Sequence, residues 1–195
     1  MLHTKYKDFK IILASQSPRR QQLLKELGLD FEILILPDIE ENYPENLKSH
    51  EIALFLAEHK ASHYKHIVDE KTIVITADTI VWQDDEVLGK PVDFDDAVKI
   101  LSKLSGNSHK VITGMCLMAK EKVKTFFSET EVFFKTLSKD EIKYYVENYR
   151  PYDKAGAYGI QEWIGFVGIE KINGPYFNVV GLPVQKLYTE LMNFI

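Results

Sequence analysis

The sequence predicts a fold of the α/β or α+β class, in which helices and strands alternate, on three observations. Residues 11–15 (IILAS) read as a short buried strand that turns directly into an amphipathic helix. Residues 72–77 (TIVITA) are the most strand-like run in the chain, and helical and extended patterns alternate elsewhere without a repeat, a low-complexity tract or a linker. With 195 residues and 45% apolar content, the chain is long enough for one substantial core, so a single domain over residues 1–195 with two lobes around a cleft is expected.

Each element has a local reason. Ser17 is a good N-cap and Pro18 a good first helical residue, so a helix starts there and ends at Gly28. Residues 31–36 form a continuous apolar-rich strand that ends in an acidic loop at residues 37–42 (PDIEEN). Ser49 is placed to cap a helix whose Ile52, Ala53, Phe55 and Leu56 share one face, with Lys60 a turn beyond Leu56. The TIVITA strand delivers Asp78 at or near its end. Residues 80–82 and 86–88 then make a hairpin across Asp84-Asp85, closed by Gly89-Lys90-Pro91.

Asp93 can cap a helix that runs to Leu104 and is terminated by Gly106. Residues 109–119 and 124–137 are two long extended segments, and their phenylalanines are explained by β-propensity and burial. Ser138 and Glu141 form a capping box for a helix to about Asn148. A glycine-containing loop follows at residues 151–161, then a strand at residues 164–172, and Pro183 opens a C-terminal helix.

Composition excludes several function classes. A net charge of −5 gives no support to a nucleic-acid binder, a class that usually presents a basic face. The N-terminus lacks the apolar core of a signal peptide, and no apolar stretch approaches bilayer-spanning length, so a soluble, cytoplasmic protein without a membrane partner is expected. The lone Cys116 sits in an apolar run and reads as a core residue of a reducing compartment. The phosphate-binding GxxxxGK[ST] and GxGxxG loops, metal-spaced histidines and the GxSxG elbow are all absent.

What remains is a set of charged residues at segment ends: Arg19, Arg20, Glu41, Lys60, Asp78, Lys90 and Lys154. Arg19 and Arg20 fall in the first turn of their helix, where the dipole opposes a cation by roughly 0.3 to 1 kcal/mol. Compensation comes either from a bound phosphate, held by the arginines, the Ser17 hydroxyl and free backbone N–H groups, or from solvent and carboxylates elsewhere in the chain. Asp78, closing a hydrophobic strand and followed by Thr79, sits where α/β folds present ligands. Cations that neutralise a polyphosphate, together with carboxylates that hold a divalent metal and take a proton from water, compose a phosphate-cleaving set.

The chain also resembles a known family. Ser15-Gln16-Ser17-Pro18-Arg19-Arg20, Ala77-Asp78-Thr79, Gly89-Lys90-Pro91, Ser105-Gly106 with His109, Thr113-Gly114, the run DKAGAYGIQ at residues 153–161, and NVVGLP at residues 178–183 occur in the order found in Maf-type nucleoside triphosphate pyrophosphatases. The resemblance implies an α/β fold, a mixed sheet with flanking helices and two lobes around a central cleft. It also implies metal-dependent hydrolysis, with Mg2+ or Mn2+, of a nucleoside triphosphate to monophosphate and pyrophosphate, a house-cleaning activity on the nucleotide pool. By motif, Asp78 matches the proton acceptor; Arg19, Thr79 and Gln161 match substrate-specificity positions; Ser17, Arg20, Lys60 and Lys90 match phosphate-binding positions in the cleft. Glu41 matches a further polar cleft position, which Glu40 would fill under a one-residue shift, and Glu41 with Asp78 would hold the metal.

The family has a branch selective for dTTP and UTP and another associated with 7-methyl-GTP; Asp78-Thr79 and the run at residues 153–161 resemble the first. An amide such as Gln161 pairs with the carbonyl and imide N–H of uracil or thymine, and such a site rejects cytosine by leaving a buried group unpaired. Glu162-Trp163 departs from the family, which more often has glycine after the glutamine. A non-catalytic, nucleotide-responsive regulator of division is the competing class, and the resemblance leaves room for a homodimer.

Overall fold

A computed structural model describes residues 1–37 and 39–195. Helix α1 (Leu2–Lys5) precedes β1 (Lys10–Leu13), α2 (Pro18–Glu26), β2 (Glu32–Ile33), α3 (His50–Ser62), β3 (Thr72–Gln83), β4 (Glu86–Leu88), α4 (Phe94–Leu104) and β5 (Ser108–Ala119). Then follow β6 (Lys122–Phe134), α5 (Lys139–Tyr149), α6 (Trp163–Gly168), β7 (Ile169–Asn173), α7 (Tyr176–Val180) and α8 (Val184–Met192). The strands form a seven-stranded sheet in the order β2-β1-β3-β5-β6-β7, with β4 paired to β3. It is mixed: β1 is parallel to β2 and β3, whereas β3 with β4 and β6 with β7 are antiparallel. The chain therefore has the α/β class and the mixed, helix-flanked sheet that the sequence implies.

By packing, the chain divides into two compact units, one of Met1–Asp78, Thr113–Ser128 and Gly181–Ile195 and another of Thr79–Ile112 and Glu129–Val180. In the first unit, the period of two in a strand sorts side chains to two cores. Ile11 and Leu13 of β1, Ile73, Ile75 and Ala77 of β3, and Met115 and Leu117 of β5 join Leu2, Leu24, Leu187, Leu191 and Phe194 in one cluster. The intervening Ile12, Val74, Cys116 and Met118 pack with Ala57, Ala61 and Tyr64 of and just after α3 in the other. Cys116 is fully buried, and burial, with Glu58 adding, pushes its thiol up to about 12, so it is inert core.

In the second unit α4 packs against α5, and Ala97, Leu101 and Leu104 of α4, Ile142, Tyr145 and Val146 of α5, and Val111, Val132 and Phe134 of the sheet are all buried. Asn178 of α7 donates to Val111 O and Thr130 Oγ1 at 2.9 and 3.0 Å, so this motif residue is a structural tie. His109 Nε2 bonds the Tyr158 hydroxyl at 2.7 Å, while its Nδ1 is buried without a partner. Burial pulls its pKa down from 6.5 to about 3, so the folded protein keeps the ring neutral. Below pH 6.5 the unfolded chain takes a proton that the folded one refuses; this contribution is full above 6.5 and is lost as the pH falls toward 3. Between pH 7.5 and 5, wild type is expected to lose about 2 kcal/mol more unfolding free energy than His109→Gln, measured by urea titration.

Several local expectations hold. Ser17 Oγ accepts from Arg20 N, Asp93 caps α4 by accepting from Asp96 N, and the Ser138–Glu141 capping box is complete. Asp84 and Asp85, at φ 50° and 61°, make the tight hairpin turn. Four expectations are corrected. The strand at residues 31–36 shortens to Glu32–Ile33, because the Tyr64 hydroxyl replaces a strand partner, donating to Leu34 O and accepting from Leu36 N at 3.0 Å each. Ser49 occupies the N-cap of α3 at φ 51° without capping it; Glu51 instead accepts from Lys48 N. Strand β3 does not end at Ala77 but runs on to Gln83 through Asp78. Residues 163–168 are helical, and the strand begins only at Ile169, because Glu162 O accepts Gly165 N at 2.9 Å and so closes a helical turn.

Candidate active site

The first unit gathers the charged residues through the packing of α3. A Cβ on Gly114 of β5 would lie 2.1 Å from Ala53 O, so glycine lets the helix backbone rest directly on the strand. One turn on, Thr76 Oγ1 of β3 donates to Ala57 O at 2.6 Å. Two residues further along the same face of β3 comes Asp78, and one turn further along α3 comes Lys60. The Lys60 ammonium bonds Asp78 Oδ1 and, at 2.7 Å, Glu41 Oε1. Asp78 is buried and Lys60 nearly so, whereas the Glu41 side chain is 47% exposed. Glu40 bonds Asn42 instead, so it is Glu41 that joins the cluster. Asp38 of the acidic loop lies outside the described residues.

Arg20 reaches the same place from α2. Its Nε donates to Gly181 O at 2.9 Å and its Nη1 to Ala77 O at 2.8 Å, the carbonyl just before Asp78. Burial lowers its pKa; Asp78 and then Glu41 oppose that, and Arg19 reinforces it. The dipole cost read from the sequence is thus met in part by the protein's own carboxylates and carbonyls. Arg20 is consequently a structural residue as well as a charged one. Arg19, Arg20 and Lys60 against Asp78 and Glu41 leave one net positive charge in these five groups, which suits a polyanion. Ser17 is committed to capping α2, its backbone N–H meeting Ser15 Oγ at 3.3 Å.

Thr79, Lys90 and Gln161 belong to the second unit. There the Gly156 N–H donates to Gly89 O at 3.0 Å, joining the Gly89-Lys90-Pro91 loop to the loop at residues 153–161. Gly156 has φ 71°, and a Cβ on it would meet Val81 Cγ2 at 2.7 Å, so only glycine allows the loop to lie on β3. Lys90 and Gln161 are exposed and Thr79 is half-buried. Lys154, by contrast, is only 9% exposed and bonds Asp153 Oδ1 at 2.7 Å and Glu162 Oε1 at 3.1 Å. This pairing of Lys154 with Glu162 is absent from the sequence reading, where Glu162 figures only as a departure. The sequence carried no local signal of it, because the burial of Lys154, which demands a carboxylate, is decided by the fold.

The donor set fits a hard divalent cation. Two carboxylates converge on one ammonium nitrogen, so they lie close enough to share a small cation, and Mg2+ takes one or two carboxylates with the rest of its shell from water and phosphate. Among the described residues no group of three or more His, Cys, Asp or Glu offers a complete protein cage. No helix among the described residues is long and apolar enough to cross a membrane.

These features, a mixed sheet, a clustered set of cations and carboxylates in the first unit and the Gly89-Lys90-Pro91 motif in the second, accompany a match to the family of Maf-like proteins over residues 10–194, and the chain belongs to that family. Its relatives include the dTTP/UTP pyrophosphatase of Bacteroides fragilis, 55% identical over 183 residues that span 94% of this chain and 95% of that one. The dTTP/UTP pyrophosphatase of Phocaeicola vulgatus is 56% identical with the same coverage. That of Flavobacterium johnsoniae is 50% identical over the full length of both chains.

Proposed function

We propose that this protein is a nucleoside triphosphate pyrophosphatase that clears dTTP, UTP and related nucleotides from the pool. Membership of the Maf-like family and the names of relatives at 50% identity or more support the reading. The observation that carries the chemistry is the Lys60 ammonium held between Asp78 and Glu41, with half-buried Arg20 bonded to the carbonyl just before Asp78.

In the proposed reaction one water adds across the α–β phosphoanhydride, giving nucleoside monophosphate and pyrophosphate. Asp78 accepts the proton from water, while Lys60, Arg19, Arg20 and Lys90 neutralise the polyphosphate and Ser17 holds the turn from which the arginines project. Glu41 and Asp78 would hold Mg2+ or Mn2+, which supplies charge neutralisation of the phosphates. Arg19, Thr79 and Gln161 select the nucleotide, with uracil and thymine favoured for the pairing edge they share. Cation and carboxylate in contact serve turnover better than mere binding, which needs no proton acceptor.

The test is product identity. With dTTP or UTP and magnesium or manganese, purified protein is expected to release monophosphate and pyrophosphate in equal amounts, resolved by ion exchange. Stoichiometric diphosphate and orthophosphate would refute the bond assignment. Tight nucleotide binding without any product would instead favour the regulator, and a preference for 7-methyl-GTP would place the chain in the other branch.

A further inference from the structure

We propose that Glu162, together with Tyr145 and Lys154, is a positioning residue that fixes the loop carrying Gln161 and thereby sharpens discrimination between bases; the proposal rests on the pyrophosphatase reading above. Glu162 follows Gln161 directly and occupies the N-cap position of α6, yet its side chain does not cap that helix. It turns back into the loop. One carboxylate oxygen accepts the hydroxyl proton of Tyr145 from α5, and the other forms an ion pair with the Lys154 ammonium at 3.1 Å. The Tyr145 oxygen in turn accepts Gly159 N–H at 3.0 Å, and Glu162 N–H donates to Gly159 O at 3.0 Å. Side chain and backbone thus close a ring of hydrogen bonds around Gly159, two residues before Gln161.

The packing leaves no slack in this ring. A Cβ on Gly159 would stand 2.8 Å from the Glu162 carboxylate carbon, and one on Gly165 would stand 2.0 Å from Ile160 O. Tyr145 is fully buried. Gly159 and Glu162, on either side of Gln161, are therefore tied to the rest of the unit, while the Gln161 side chain is exposed. An amide that must present a donor and an acceptor at fixed places to a base edge gains selectivity from a backbone that cannot shift, because a misplaced amide no longer penalises the wrong base. The two charges of the brace need each other, since Asp153, the other partner of Lys154, is 59% exposed at its side chain and more fully screened by water.

Tyr145→Phe and Glu162→Gln, which keep shape, are the variants to make. Each is expected to lower the ratio of kcat/KM for dTTP over CTP about tenfold, mainly through KM for dTTP. Adding Gln161→Ala to either should produce little further loss, because both act through the same amide. Hydrogen exchange of amides 155–161 should accelerate in Tyr145→Phe while that of α4 does not. A ratio within twofold of wild type in both variants would overturn the proposal, whatever happens to Tm, as would unchanged exchange in the loop. If wild-type protein releases no pyrophosphate from any triphosphate, the functional reading falls and the selectivity role with it, and the exchange measurement then decides separately whether the brace exists.

Discussion

Asp78→Asn is expected to lower kcat for dTTP at least about a hundredfold, the lower end of what general-base catalysis contributes. Asparagine keeps the size of the side chain and an oxygen for Lys60, but it cannot take a proton from water or balance the cations around it. The five-group cluster would rise by one positive charge, with Arg20 half-buried within it. Lys60 retains Glu41 at 2.7 Å, so the fold should survive. A loss of about 1 to 2 kcal/mol, or roughly 2 to 8 °C in Tm, is anticipated. Steady-state kinetics and a thermal melt on the same preparation separate the two effects. Retention of more than about a tenth of the wild-type kcat would remove Asp78 as the proton acceptor and make Glu41 the next carboxylate to test.

The second large effect comes from a residue with no side chain. Gly114→Ala would place a methyl group 2.1 Å from Ala53 O and 2.2 Å from its carbonyl carbon, both backbone atoms that cannot rotate away. Helix α3 must then lift from β5 or the strand must bend. A cost of at least about 3 kcal/mol is expected, which corresponds to a fall of roughly 6 to 12 °C in Tm. Because α3 carries Lys60, the same displacement should weaken turnover in whatever fraction remains folded. A variant that melts within 2 °C of wild type would show that this contact is looser than its geometry, and that Lys60 owes its position to Thr76 and Ala57 alone.

What the sequence made legible were the features governed by neighbours in the chain. The Ser17-Pro18 start of α2, the capping box of α5 and the Asp84-Asp85 turn are each decided within four residues, and each is present. What it hid were features decided across the fold. No local pattern announces that Tyr64, 28 residues away, will take over the backbone of Leu36, or that residues 163–168 will coil because Glu162 O closes a turn on Gly165. The candidate site divides the same way. Arg19, Arg20, Lys60 and Asp78 stand out by residue type and position. Their gathering in one unit follows from the strand period and from the seating of α3 on Gly114, which act at long range. Two of the motifs, Thr113-Gly114 and Asn178, owe their presence to packing, Gly114 under α3 and Asn178 between β5 and β6.

The first unit is assembled from three stretches of chain, the last of them Gly181–Ile195, and Arg20 is tied to Gly181 O at 2.9 Å. Leu182, Leu187, Leu191 and Phe194 complete the core that Leu2, Tyr6 and Leu24 begin. On the ribosome, residues 1–78 emerge with Arg19, Arg20, Glu41, Lys60 and Asp78 of the candidate site, yet they remain without the closing helix until residues 184–192 have followed. The core beneath the candidate site is therefore completed only once α8 has emerged, more than a hundred residues after Asp78, and a chain truncated before α8 would carry the residues of the site over an unfinished core.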